Sequence, residues 1–502
     1  MSDTRRIARN TLMLYFRQIL IMAVSLYTVR VVLNVLGAED YGIYNVVAGV
    51  VTMFGFLSGA MATASQRYFS FDLGKGNTEH LKTTFSVTFQ IYLLLALVIV
   101  FLAETAGLWF VNSKLVIPAE RMTAANCIYQ AAIVSFLLTL ITTPYMASII
   151  AHENMNVYAY VSIVEVALKL GIVFLLKVLA FDKLIVYGVL LAAVALINTS
   201  IYRFYCRKHY AECKAKFVKD VALFKEIVSY SGWNLFGAAV GVVKNQLVNI
   251  ALNLYFGVIV NAARSVAMQI NSAVTSFSSN FTVAVNPQII KTYAVGKKDE
   301  MLAFAFRTMR FTYLLLLWLS VPLIFEMDVV LDFWLKEPPS HTVLFTQLTL
   351  IDALVNSISY TLGTAIQASG KIKSYQAVVG TLLLLNFPIA LILLSNGFSA
   401  VSVFYEAIVI SVLALILRLG FMRKILSFKL TSDFVIKNFA RITICTAMVF
   451  VCLFCFHRFS FTNLFIVNLF TEYMISALIL MFFGFMAIER KFFYKKLREK
   501  IR

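Results

Sequence analysis

The sequence predicts an all-α polytopic membrane protein with about fourteen transmembrane helices. Of its 502 residues, 61% are hydrophobic and only 14% are charged. The apolar residues form long runs without the alternation that marks a β-strand. Because no water reaches the hydrocarbon core of a bilayer, the backbone of such a run must satisfy its own hydrogen bonds, and a helix does this. Little chain is left between the runs for a separate folded domain.

The apolar runs fall into two groups of six and a final pair. The first group is predicted near residues 11–36, 41–65, 83–103, 122–150, 155–178 and 183–204. The second group is predicted near 229–256, 258–286, 302–326, 343–368, 374–395 and 398–419, and the final pair near 435–457 and 463–488. The chain is therefore divided into an N-terminal lobe (1–206), a connector (207–228), a C-terminal lobe (229–422) and an extra helix pair with a basic tail (423–502).

Short polar segments repeat at a nearly constant spacing. Gly74-Lys-Gly-Asn precedes the third helix and Gly296-Lys-Lys-Asp precedes the ninth, an offset of 222 residues. The segment that ends at Tyr158 matches one that ends at Tyr375, an offset of 217. Six helices per repeat is an even number, so both repeats start on the same side of the membrane. The sequence thus predicts two parallel six-helix lobes around a central cavity, with chance similarity of short polar loops as the alternative.

The formal net charge is +19, and Lys and Arg concentrate at both chain ends and in every second connection between helices. This pattern is typical of the cytoplasmic side of a membrane protein and not of a nucleic-acid-binding surface. We therefore expect both termini and the 203–225 segment to be cytoplasmic, since no cleavage site follows the first helix. Binding of anionic lipid headgroups is the alternative role for the basic connections.

Several predicted helices carry polar side chains on one face, which must turn inward in lipid. The predicted cavity candidates are Lys244, Asn245, Asn249, Arg264, Asn271, Asp352 and Asn356 in the C-terminal lobe and Arg17 and Arg30 on the first helix. For small residues such as Gly237 and Gly241, close helix contact explains the pattern equally well. For Arg17 and Arg30, extension of the side chain to a lipid headgroup is the alternative.

Charges at mid-membrane depth cost about 2.5–3.5 kcal/mol each on insertion scales, so they need a partner or a water-filled cavity. Glu165 and Lys169 are four residues apart and are predicted to pair on one helix face, as structural or coupling charges. Lys244 has no such neighbour on its own helix, and we favour a cavity role for it over an interhelical pair with Asp352 or Glu406. Glu406 is the third structural or coupling charge.

Catalytic and cofactor chemistry is sparse in the sequence, and we expect no enzyme activity, cofactor or metal. No phosphate-binding GxxxxGK[ST] loop is present, so energy for any transport must come from outside the chain. Cys452, Cys455 and His457 lie close together but lack a second ligand cluster, which argues against zinc. Glu39 and Asp40 precede the second helix, and we interpret them as solvated turn charges.

The segment Leu36-Gly-Ala-Glu-Asp-Tyr-Gly-Ile-Tyr44, after a basic N-terminus and a first helix, resembles the start of Wzx-like polysaccharide flippases. These belong to the multidrug/oligosaccharidyl-lipid/polysaccharide (MOP) exporter superfamily, which also holds the MATE-like transporters. Ala368-Ser-Gly-Lys371 after the tenth helix resembles the same family.

The resemblance implies a flippase in the bacterial inner membrane that moves an undecaprenyl-diphosphate-linked oligosaccharide to the outer leaflet by alternating access. Such cargo is the repeat unit of O-antigen, capsular polysaccharide or exopolysaccharide. Related lipid II flippases have cavity arginines on helices one and eight, and Arg17 or Arg30 and Arg264 are the positions here that correspond. The implied partners are the lipid-linked substrate, membrane lipids and the polysaccharide polymerase or chain-length machinery, with no nucleic acid.

Two other functions remain open at this stage. A drug or organic-cation antiporter of the same superfamily would use Asp352 and Glu406, although Lys244, Lys169 and Arg264 oppose a cationic substrate. A membrane glycosyltransferase or polymerase would need catalytic acids in outer loops, where Glu39 and Asp40 are the candidate pair.

Overall fold

Glycines with positive φ separate several helices of this chain. The computed structural model describes residues 3–115, 117–179, 181–427, 436–459, 465–486 and 489–490, and every regular element in these ranges is a helix. The α-helices, in chain order, are α1 (Asp3–Thr52), α2 (Gly55–Lys75), α3 (Thr78–Leu102), α4 (Leu108–Ser113), α5 (Met122–Ala151), α6 (Met155–Val178), α7 (Lys183–His209), α8 (Val221–Ala294), α9 (Lys298–Phe325), α10 (Met327–Leu335), α11 (Thr342–Ala368), α12 (Lys373–Leu384), α13 (Asn386–Ser395), α14 (Ser402–Leu426), α15 (Arg441–Phe459) and α16 (Phe465–Ile479). Short π-helices cover Ala103–Gly107, Ile436–Ala440 and Leu480–Gly484, and 3₁₀ turns cover Ala119–Arg121 and Ala211–Cys213.

Within the described residues, 11 helices are long and apolar enough to cross a membrane, and a pair bent by 45° near residues 51–55 makes a twelfth. Two of the helices are longer than one span. The 74-residue α8 breaks at Gly257, and the 50-residue α1 breaks at Gly37. Split at these glycines, the helices follow the fourteen predicted apolar runs, and the predicted fold class is confirmed.

The internal repeat is visible in the backbone. Gly37 and Gly257 both have positive φ and an extended ψ, and they lie 220 residues apart. Gly76 and Gly296, also with positive φ, show the same spacing. Positive φ recurs at Glu153 and Gly370, 217 residues apart, in the second pair of segments matched by sequence.

One predicted sequence match is shifted by two residues. The sequence aligned Gly74 with Gly296, but the residue equivalent to Gly296 is Gly76, because both glycines take positive φ where a helix ends. Only glycine adopts this conformation at little cost, so it marks the equivalent position more reliably than the flanking lysines do.

Several helices run beyond the predicted apolar runs. The second span continues to Lys75 instead of residue 65, because polar side chains such as Ser65 and Asp72 are buried in its last turns. No loop separates the first two spans, since α1 continues through Gly37, so Glu39 and Asp40 lie on a helix. Likewise α8 begins at Val221, where the Asp220 side chain accepts a hydrogen bond from the Leu223 N–H. Residues 428–435 and the basic tail after residue 490 lie outside the described residues.

The described chain forms two compact units. Unit 1 comprises Met1–Ala239 and Val283–Lys297, and unit 2 comprises Val240–Thr282 and Lys298–Arg502. In unit 1, α5 packs against α3 and α7, and α1 packs against α6. In unit 2, α11 packs against α9 and α14. The apolar cores are separate, with Val47, Ile128 and Leu184 in unit 1 and Leu252, Phe345 and Phe404 in unit 2.

Both ends of α8 belong to unit 1, where its C-terminal end is held by charge and by close packing. Glu153 is almost fully buried, and its carboxylate lies 2.7 Å from the Nζ of Lys291 and 2.8 Å from the Nη2 of Arg6. A Cβ atom added to Gly74 would lie 2.8 Å from the Cα of Lys291 and 2.9 Å from the Cβ of Ala294. The helix backbones are therefore in direct contact at Gly74, which leaves no room for a side chain there.

Candidate functional site

A cavity of about 250 Å³, lined by apolar and polar side chains, lies in unit 1. Helices α1, α5, α6 and α7 form its walls, and the apolar side chains of these helices pack around it. The polar side chains that line it are Tyr44, Ser135, Thr139, Glu165, Lys169 and Asn198. A cavity of this kind, mostly apolar with a few converging polar groups, is the usual form of a small-ligand site.

Glu165 and Lys169 form the ion pair that their spacing predicts, with 2.7 Å between Oε1 and Nζ. The second carboxylate oxygen of Glu165 accepts a hydrogen bond from the Nδ2 of Asn198 at 3.1 Å. The pair therefore has a further partner on α7 and lies on the cavity wall. The sequence analysis missed Asn198, although an asparagine inside a long apolar run is itself a signal of a buried polar contact.

Two of three hydroxyl residues on one face of α5 line this cavity. Ser135 and Thr139 are on the wall, whereas the hydroxyl of Thr142 bonds to that of Thr199 at 2.7 Å. The Thr142 contact joins α5 to α7, so it is a packing contact.

Unit 2 contains a second polar group, built from three helices. The Nδ2 of Asn356 donates to the Oδ2 of Asp352 at 3.0 Å and to the hydroxyl of Ser411 at 3.2 Å. Lys244, on α8, is close enough to interact electrostatically with both Asp352 and Glu406, without a direct ion pair to either among the described residues. Two carboxylates thus share one ammonium group.

Neither carboxylate is fully satisfied by hydrogen bonds within the described part of the chain. Asp352 Oδ1 and both oxygens of Glu406 are buried there without a hydrogen-bond partner, and Glu406 is only 8% exposed. A buried carboxylate in this situation favours a proton or a cation as its partner. Ser411 was not predicted from the sequence, because a single serine in an apolar helix does not reveal which neighbour it contacts.

Arg264 is buried in unit 2, with 6% of its surface exposed. Its Nη1 donates to the Oδ1 of Asn249, a neutral amide. Within the residues the structure describes, no carboxylate lies within ion-pair distance of this guanidinium. A buried guanidinium without a counter-charge is costly unless an anion accompanies it.

Two other predicted candidates differ in exposure, since Asn245 is exposed whereas Asn271 Oδ1 is buried without a described partner.

Arg17 is in unit 1, where its Nη1 donates to the hydroxyl of Ser162 at 3.5 Å. Its guanidinium also lies over the ring of Tyr158, 4.4 Å from the centroid. These contacts hold Arg17 between α1 and α6. Arg30 lies on α1 as predicted, but its side chain is outside the described residues.

One of the two acidic residues at the start of the second span, Asp40, is held by an arginine. Both carboxylate oxygens of Asp40 accept from Arg121, at 2.9 and 2.6 Å. Arg121 also bonds Asp182 at 2.5 Å, and these hydrogen bonds hold the pKa of Asp182 below its usual range. Through Arg121, Asp40 joins α1 to the N-terminal ends of α5 and α7, and this structural contact accounts for its charge.

Known structures show which class of protein has this fold. An outward-facing multidrug-resistance MATE transporter of the MOP superfamily superposes with a TM-score of 0.72 at 11% identity, covering 85% of this chain and 96% of that chain. The MATE transporter ClbM in complex with Rb⁺ gives 0.69 at 15% identity, covering 87% and 97%. A MOP superfamily transporter from Pyrococcus furiosus, described as having a binding pocket of reverse polarity, gives 0.68 at 10% identity, covering 85% and 98%. The chain is thus a multi-pass membrane protein with the fold of MATE transporters.

The sequence itself assigns the family. The model of the polysaccharide biosynthesis protein family matches residues 7–293, and the chain belongs to this family. No curated protein sequence matches the chain significantly. Family and fold together point to a membrane transporter rather than an enzyme.

Proposed function

We propose that this protein is a flippase that moves an undecaprenyl-diphosphate-linked oligosaccharide from the inner to the outer leaflet of a bacterial inner membrane. The observation that carries the proposal is Arg264, a buried guanidinium whose described partner is a neutral amide. Membership of the polysaccharide biosynthesis family supports this class of cargo.

The chemistry of the polar groups supports an anionic, glycan-bearing substrate. A diphosphate cannot cross hydrocarbon alone, because desolvation of its charge is too costly. Guanidinium and ammonium groups offset that cost through charge-assisted hydrogen bonds, and Arg264 and Lys244 supply one of each. Amide and hydroxyl side chains, such as Asn198 and Thr139 in the unit 1 cavity, suit sugar hydroxyls.

We also propose that both termini and the 203–225 segment face the cytoplasm, because Lys and Arg concentrate there. Reporter fusions after residue 210 and at the C-terminus test this. A periplasmic reporter that is active at either position would overturn the topology. On this orientation, the polysaccharide polymerase or chain-length machinery would receive the product at the outer face.

The test of the substrate is a deletion strain complemented by variants. Deletion should trap the lipid-linked intermediate on the cytoplasmic leaflet and remove the corresponding surface polysaccharide, measured by lipid extraction with leaflet-specific labelling. Lys244→Ala and Arg264→Ala should accumulate to the wild-type protein level but should not restore export. Arg264→Lys should restore part of the export. Lys336→Ala, an exposed cation outside the candidate site, is the matched control. Wild-type export by both cationic variants would contradict the proposal.

One observation favours a second function, export of organic cations. Asp352 and Glu406 are two buried carboxylates near a single lysine, so this group has one more acidic side chain than it has basic ones. An antiporter uses such a group for a proton or a sodium ion as well as for a cationic drug. Normal surface polysaccharide together with increased drug sensitivity in the deletion strain would support this function and overturn the flippase proposal.

A further inference from the structure

Three side chains from three different segments of unit 2 lie close together. Glu326 directly follows α9, His457 lies in the last turn of α15, and Glu472 lies near the middle of α16. The Nδ1 of His457 is 3.7 Å from Glu326 Oε1 and 3.8 Å from Glu472 Oε1. One ligand atom from each residue falls within 4.8 Å of the other two. These three residues are called the Glu-His-Glu cluster below.

Burial makes the two carboxylates an unusual pair. The side chain of Glu472 is completely buried and that of Glu326 is 4% exposed. Within the described residues, neither oxygen of Glu472 has a hydrogen-bond partner. Two carboxylates this close repel each other, and a buried one without a partner is strongly unfavourable. A cation or a proton between the carboxylates relieves this cost.

We propose that the Glu-His-Glu cluster binds one divalent transition-metal cation of the zinc class. An imidazole with two carboxylates suits zinc and its neighbours, whereas magnesium and calcium take oxygen ligands alone. Zinc bonds of about 2.0–2.2 Å place tetrahedral ligand atoms about 3.4 Å apart. The separations of 3.7 and 3.8 Å are within a few tenths of an ångström of that value.

The cluster is open on one side and closed on the others. His457 keeps 51% of its side chain exposed, so a metal ion enters from the histidine side and reaches the buried carboxylates. Three protein ligands leave the fourth tetrahedral position to water. A bound ion ties α15 and α16 to the end of α9, and Tyr473 on α16 already donates a hydrogen bond to the carbonyl of Leu319, further inside α9, at 3.2 Å. We expect the metal to fasten the final helix pair within unit 2.

The test uses the full-length protein in detergent, purified through a tag without histidine, stripped with a chelator and then titrated with ZnCl₂. Wild type should bind one zinc ion by elemental analysis, and its thermal unfolding midpoint should rise with zinc. Glu472→Gln and His457→Ala should each weaken zinc binding at least tenfold. Glu337 is an exposed carboxylate in the connection between α10 and α11, and Glu337→Gln should bind zinc as wild type does.

The nearby cysteines provide a further control, because Cys452 and Cys455 are exposed on the same helix as His457. The double variant Cys452→Ser/Cys455→Ser should keep the full zinc response. Loss of zinc in this variant, or retention of zinc in both Glu472→Gln and His457→Ala, would overturn the proposal. So would a wild-type protein that binds no zinc, since the carboxylates would then share a proton. His457→Ala is a surface change, so a folded variant is available even if Glu472→Gln is unstable.

Discussion

Replacement of Gly37 or Gly257 by alanine should destabilise the protein through the backbone alone. Both residues have positive φ, 82° and 76°, with ψ of 166° and −167°, a region that essentially only glycine occupies. An added Cβ would meet no atom within 4 Å at either position, so no steric clash contributes. Forcing alanine into such a conformation costs about 1–3 kcal/mol. Alanine also reduces the conformational freedom of the unfolded chain, which stabilises the folded state by about 0.4–1 kcal/mol. The free energy of unfolding should therefore fall by about 1–2 kcal/mol in total.

The matched controls are Gly42→Ala and Gly241→Ala, which are helical glycines with equally open surroundings. Alanine there should be neutral or should stabilise by about 0.5–1 kcal/mol, because it is the better helix former. Unfolding of the purified proteins in detergent, followed by circular dichroism or tryptophan fluorescence, measures all four variants. Because Gly37 and Gly257 are equivalent in the repeat, their variants should lose similar stability. Midpoints at or above wild type for both would refute the backbone argument.

Three further changes probe unit 1. Gly74→Ala should lower the unfolding midpoint, because a Cβ at Gly74 would lie within 3 Å of the backbone of Lys291. Gly59→Ala is the control and should not lower it, since Gly59 has open space. Equal midpoints would show that α2 and α8 separate easily. Glu153→Gln should lower the free energy of unfolding by about 2 kcal/mol, less than the roughly 3–5 kcal/mol expected for a fully buried ion pair, since Lys291 is 22% exposed. Chemical unfolding measures this loss. An unchanged free energy of unfolding would mean that the ion pairs of Glu153 contribute nothing to stability. The hydrogen bonds that lower the pKa of Asp182 stabilise the folded protein at pH values above the ordinary pKa of 3.8, and this stability is lost as the pH falls through the lowered pKa of the folded state. Asp182→Asn should therefore make the unfolding midpoint depend less on pH in the acid range. An unchanged acid dependence would contradict this.

The helices of this protein follow from its sequence because a spanning segment satisfies its own backbone. The helix α6, Met155–Val178, coincides with the predicted run at 155–178. Helix ends were predicted less well wherever polar residues are buried in the last turns, as Asp72 is in α2. In the last turns of α2 the mean hydropathy of the sequence falls, but the helix continues to Gly76, which caps its C-terminal end.

The site was predicted in part, because the cost of charge in a membrane identifies a residue without identifying its partner. Lys244, Asp352 and Glu406 were recognisable from their depth in apolar runs, and the pairing of Glu165 with Lys169 was recognisable from i, i+4 spacing. The contact of Asn198 with Glu165 was not, because it depends on how α7 is rotated against α6. Helix rotation is set by side-chain packing, which no single run of sequence contains.

The sequence by itself determined the membrane class, the number and order of the helices, the two-fold internal repeat and the residues whose charge requires an explanation. Each of these depends on the local composition of one segment, because hydrocarbon acts on every span separately. Only the tertiary structure decided which polar groups share a cavity and which three residues form the Glu-His-Glu cluster. Glu326 and His457 are far apart in the chain and follow no ligand spacing, so the sequence analysis found no metal site there. Their side chains meet because α9, α15 and α16 pack together, and packing is a property of the whole fold.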